Sequence, residues 1–124
     1  MKFLCFGYFN QEKMDAYSKE EIESILSECQ PHLQEFYNSG QVMMDVGVDK
    51  VVRCLQRVNG TVMAMDSAFV EKNEMIGSVF VIEANDIEEA ISIASLHPTT
   101  QVDVGEKLGW RIEIRPIHYF ERKE

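Results

Sequence analysis

The residues best equipped for chemistry are a histidine at an expected structural boundary, His97-Pro98, and the acidic run Asp66-Ser67-Ala68-Phe69-Val70-Glu71-Lys72-Asn73-Glu74. The run stands just ahead of Gly77 and an apolar stretch from Ser78 to Ile82. Histidine changes charge close to neutral pH, so it can give or take a proton there. A carboxylate held to one ring nitrogen fixes the tautomer and stabilises the charged ring. Sequence separation alone does not pair His97 with any one carboxylate. A structural reading is open beside the chemical one, in which His97 caps a helix end and Asp66 makes local turn hydrogen bonds.

Asp66, Glu71, Glu74 and His97 would be the donors of any metal site, but the paired-histidine spacing of a zinc centre is missing, and no metal is expected. Cys29 and His32 stand three apart with no second pair to complete a site, and read as a core thiol and a helix-end histidine. Cys5 and Cys54 lie on expected strands without a neighbouring base, and read as small buried hydrophobes. His118 and Tyr119 fall in a tail beyond the last expected strand.

Positioning such groups requires a core, and 124 residues with 45% in the hydrophobic set suffice for one domain, expected over residues 1–124. Twelve basic against 21 acidic residues leave a net charge of −9, which repels polyanions, so no nucleic-acid partner is expected. No apolar run approaches the roughly 20 residues that cross a bilayer, and no membrane association is expected. An odd number of dispersed cysteines does not resemble a disulfide framework, and a reducing, cytoplasmic location is expected.

The chain begins with a strand through Phe9, followed by a polar connector from Asn10 to Tyr17. Ser18-Lys19-Glu20-Glu21 has capping-box spacing and predicts a helix from about Lys19. Ile22, Ile25, Leu26, Cys29, Leu33, Phe36 and Tyr37 then recur at helical steps and form a stripe against a sheet. Pro31 lies inside this pattern and predicts a bend or a split. Asn38-Ser39-Gly40 ends the helix. Strands follow over 41–47, 51–58 and 61–65, the last two joined by the hairpin signal Asn59-Gly60. Ser78 to Glu83 reads as a central, buried strand. A second helix carries Ile87, Ala90, Ile91 and Ala94 inward and stops before His97-Pro98. A loop with Gly105 and Gly109 leads to a last strand, Trp110 to Pro116, whose residues alternate apolar and charged. This order suggests an α+β sandwich of ferredoxin-like type with two main helices on one face of an antiparallel sheet. Several strands are apolar on both alternating sets, which predicts that a second copy covers the other face.

The run at 66–74 resembles the name-giving segment of the DGPF branch of the YCII-related proteins, Asp-Gly-Pro-Phe-Ala-Glu-Thr-Lys-Glu. Asp66, Phe69, Glu71 and Glu74 match, Ser67 and Ala68 stand for Gly-Pro, and Asn73 stands for the lysine. Glu113-Ile114-Arg115-Pro116 resembles the family's closing Glu-Val-Arg-Pro strand, so the resemblance spans Lys2 to about Ile117. It implies a homodimeric α+β barrel and a dyad of His97 with Asp66, in which the histidine is the general acid or base. Phe69, Glu71 and Trp110 would then line a substrate pocket, with Arg115 holding an anionic group. The implied function is a small, cofactor-free lyase, isomerase or dehalogenase-like enzyme acting on an enolic or aromatic compound. A non-catalytic accessory dimer that binds a small molecule is the alternative.

Overall fold

Alternation of apolar residues over Lys2–Asn10 builds a first strand, β1, whose Phe3 and Cys5 are fully buried while Leu4 and Phe6 point the other way. The computed structural model describes residues 1–66 and 74–123. Where the sequence suggests only a polar connector, a five-residue helix, α1, covers Gln11–Asp15, started by the Asn10 side chain accepting from the Lys13 amide. The helix α2, Lys19–Asn38, begins with the expected capping box between Ser18 and Glu21. It runs unbroken through Pro31, which takes away one backbone donor without ending the helix. Gly40, at φ 74°, turns the chain into β2, Val42–Gly47.

A hairpin of β3, Arg53–Val58, and β4, Thr61–Asp66, follows. Asn59 at φ 50° and Gly60 at φ 79° make its two-residue turn. Then come β5, Glu74–Glu83, and α3, Ile87–Ala94, which is capped by Asp86. The expected loop before the last strand holds two short helices instead, α4 over Pro98–Gln101 and α5 over Val104–Leu108. His97 caps α4 and Pro98 occupies its first turn, where a missing amide costs nothing. The last strand, β6, covers Arg111–Pro116.

The four strands of the main sheet stand in the order β2-β5-β1-β6, all paired antiparallel, with the β3–β4 hairpin as a separate two-stranded sheet. This is the ferredoxin-like α+β arrangement predicted from the order of elements, with β5 central as expected. One sheet face packs against the helices. Phe3, Cys5, Phe80 and Ile82 of the sheet meet Phe36 of α2 and Ala90, Ile93 and Ala94 of α3 in a continuous core. The opposite face carries Leu4, Phe6, Val79, Met44 and Val46 toward its middle, and Arg111, Glu113 and Arg115 along β6. No helix among the described residues is long and apolar enough to cross a membrane.

Candidate functional site

Two cross-strand rows on the helix-facing side determine where the site lies. In the first, Asp45, Phe80, Cys5 and Ile114 are register partners across β2, β5, β1 and β6. Phe80 and Cys5 are fully buried, and Phe36 meets Phe80 edge-on at 5.0 Å between ring centres. The next row consists of Gly47, Ser78, Gly7 and Ile112. Three small residues side by side leave the space above them unfilled. A cavity of about 710 Å³ opens there, within the range of small-ligand sites. Gly7 and Ser78 form its floor. Ile22, Leu26, Cys29 and Leu33 of α2 line one wall, so the stripe predicted to face the sheet faces a cavity over part of its length. One irregularity of pairing adjoins the floor. The β1–β5 register shifts between Gly7 and Tyr8, the kind of local kink that re-aims side chains beside a site.

Trp110 closes another side. A side-chain carbon on Gly105 would lie 3.0 Å from the Trp110 ring and 2.9 Å from the Thr99 carbonyl oxygen, so only glycine lets the indole lie against α5. The Trp110 amide donates to the Gly105 carbonyl at 2.9 Å, which fixes the approach. Gln11 of α1 also lines the cavity. Its amide nitrogen donates to Asp15 at 2.7 Å, and its Oε1 is buried without a partner among the described residues.

His97 is the titratable group held most firmly at this cavity. Its ring stacks on Phe80 at 4.9 Å and meets Phe36 edge-on at 5.1 Å, and only 8% of the residue is exposed. Nδ1 accepts from the Thr99 amide at 3.1 Å and lies 2.8 Å from the Thr99 hydroxyl. An accepting Nδ1 leaves the proton of the neutral ring on Nε2. Burial drives the pKa down to about 4, with the charge of Asp45 pulling the other way. At neutral pH the ring is therefore uncharged and offers an N–H donor from Nε2. Asp45 itself accepts from the Tyr37 hydroxyl, which holds the Tyr37 pKa up at about 12.

Of the catalytic and substrate-binding residues expected from the sequence, His97 and Trp110 line the cavity. Asp66 ends β4, where its carboxylate lies 3.4 Å from Arg53 and its side chain is 87% exposed. Arg115 sits on the opposite sheet face and pairs with Glu113 at 2.9 Å. Glu74 makes a two-pronged pair with Arg111 at 2.6 and 2.7 Å, which pulls its carboxyl below the usual range. Phe69 and Glu71 lie outside the described residues. Among the described residues no three histidine, cysteine or acidic side chains gather into a metal site. Cys5 is sealed in the core and burial raises its thiol to about 12, while Cys29 lines the cavity with its thiol also pushed up by burial. The residues missed by the sequence reading are Asp45, Gly7 and Ser78. A glycine in the middle of an apolar strand, such as Gly7, was the available signal for a close approach or a gap.

The family model for the YCII-related domain matches residues 1–110. No curated protein matches the sequence. Among solved structures, the chain is similar to 5-chloro-2-hydroxyhydroquinone dehydrochlorinase from Burkholderia phenoliruptrix in complex with 2,5-dihydroxybenzoquinone. The likeness has a TM-score of 0.50 at 15% identity, over 97% of this chain and 96% of that one, and it is a likeness of fold.

Proposed function

This chain belongs to the YCII-related domain family, and we propose that its cavity binds a small enolic or aromatic compound and acts on it as a cofactor-free lyase, isomerase or dehalogenase. The observation that carries this reading is a largely apolar space of about 710 Å³ bordered by one buried, uncharged imidazole whose orientation is locked by Thr99. Apolar walls favour a flat ring. The Nε2–H of His97 supplies a donor to a carbonyl or enolate oxygen, and a neutral donor in a desolvated setting stabilises developing negative charge there. In this reading His97 acts through its N–H as a neutral hydrogen-bond donor to the developing oxyanion. Asp45 is the carboxylate whose charge it feels, and Asp66 joins only if a second copy brings its hairpin near.

A second reading has an observation of its own. The lone pair of the neutral His97 ring is already engaged by the Thr99 amide, so no free base stands in the cavity at that residue. Binding without turnover, as in an accessory protein, needs no base. Two measurements separate the readings. Calorimetric titration with 2,5-dihydroxybenzoquinone reports binding, and chloride release from 5-chloro-2-hydroxyhydroquinone reports turnover. His97→Gln keeps an N–H donor and is expected to retain most of the affinity, whereas His97→Phe loses about tenfold. Chloride release that depends on His97 supports the enzyme, and binding without release supports the accessory protein. Absence of saturable binding by either compound removes both.

We also propose that two copies pair through the sheet face opposite the helices, as a cytoplasmic homodimer that closes the α+β barrel. Met44 and Val46 are 47% and 40% exposed there, beside Leu4, Phe6 and Val79. Sedimentation equilibrium is expected to show a dimer that Val46→Glu converts to monomer. A monomeric wild-type protein at high concentration rejects this arrangement.

A further inference from the structure

Ser78 carries a hydroxyl that the fold positions without using. Among the described residues no side chain pairs with its Oγ, and Ser78 lines the cavity. Gly7 faces it directly. A side-chain carbon on Gly7 would lie 2.3 Å from Ser78 Oγ, so the hydroxyl occupies the space that any other residue at position 7 would take. Gly47, the partner on the other flank, offers no side chain either. The hydroxyl therefore stands alone on the cavity floor with bare backbone on both sides.

The next residue on the same face of β5 is Phe80, which carries the stacked ring of His97. Two residues along a strand cover about 7 Å, so Ser78 and the residue that carries the His97 ring stand about one six-membered ring apart along β5, and both Ser78 and His97 line the cavity. Resting on the reading of this cavity as a ligand site, we propose that Ser78 is a specificity-determining residue. It hydrogen-bonds a second oxygen of a ring compound whose first oxygen faces His97, and so selects dioxygenated rings over mono-oxygenated ones. Gly7 is the positioning residue that leaves room for the hydroxyl.

The test uses the full chain with two probes, 2,5-dihydroxybenzoquinone and phenol, titrated calorimetrically. The wild-type protein is expected to prefer the first. Ser78→Ala is expected to weaken the dihydroxybenzoquinone by three- to tenfold, the usual worth of one hydrogen bond, while leaving phenol unchanged. Gly7→Ala, which pushes Oγ aside, is expected to erode the same preference and to lower the melting temperature. In the Ser78→Ala background it is expected to do neither, because the remaining neighbours of the added carbon lie at 3.7 Å and beyond. If both probes bind and Ser78→Ala leaves their ratio unchanged, the role of Ser78 is wrong and the cavity reading stands. If neither probe binds the wild-type protein, the cavity reading fails and this inference fails with it.

Discussion

The two rows that cross the helix-facing side of the sheet lie one step apart and share the same strands, yet one is filled and the other is open. The row through Phe80 is closed by two aromatic contacts and an imidazole, and its two central members, Phe80 and Cys5, are fully buried. The row through Ser78 has glycine on both sides of a single hydroxyl. The open row lies beside the most tightly packed part of the core, so the cavity gains a rigid edge. His97 cannot swing away, because Phe36 and Phe80 hold its ring and Thr99 holds its nitrogen. Under the proposed function, stability and binding are divided between neighbouring positions of the same strands. Residues of the closed row ought to show in unfolding, and residues of the open row in ligand affinity.

The largest effect is expected at the centre of the closed row. Phe80→Ala removes a fully buried ring together with its contacts to Phe36 and His97, and is expected to cost about 3–5 kcal/mol in chemical denaturation. A loss under about 1 kcal/mol would mean that the row is not the anchor. A somewhat smaller effect follows from the ring that borders both rows. The folded His97 has a pKa of about 4 against an ordinary 6.5, so between these values the unfolded chain binds a proton that the folded chain refuses. The stability contributed by keeping this ring neutral is fully present above about pH 6.5, and it falls as the pH drops toward 4. The loss is about 3 kcal/mol. Denaturation midpoints across this window are expected to fall for the wild-type protein, and the part of the fall due to His97 disappears in His97→Gln.

What could be read from the sequence divides along the same line. Signals that act over three or four residues were legible. The Ser18–Glu21 capping box and the Asn59-Gly60 turn each operate through local hydrogen bonds or local φ angles, and both stand where the sequence places them. The apolar run from Ser78 marked the central strand for the same reason. The gap was not legible, because it arises only when Gly7, Ser78 and Gly47 are brought into register from three separate strands. The carboxylate near His97 was hidden likewise. Asp45 stands in an alternating strand and reaches the helix side only through its pairing with Phe80. The short helices α1, α4 and α5 escaped because each is about one turn long, too short for a hydrophobic period, although Asn10 and His97-Pro98 are recognisable starts.

The smallest expected effect concerns the two aspartates, and it sharpens the division between closed row and hairpin. Asp45 shares the row of Phe80, and its charge raises the pKa of His97 against the pull of burial. Asp66 lies on the hairpin, where Arg53 neutralises it in solvent, and an exposed pair of this kind contributes little. Ring nitrogen shifts of His97 followed by NMR report its protonation directly. In Asp45→Asn the titration is expected to move further down from about 4, because the one opposing influence is gone while burial remains. In Asp66→Asn it is expected to stay where it is in the wild-type protein. A shift in Asp66→Asn that vanishes in the monomeric Val46→Glu variant would show that the pairing implied by the family resemblance forms between subunits, with the hairpin of one chain completing the site of the other. No shift in Asp45→Asn would separate His97 from its own row and leave burial as the sole determinant of its charge.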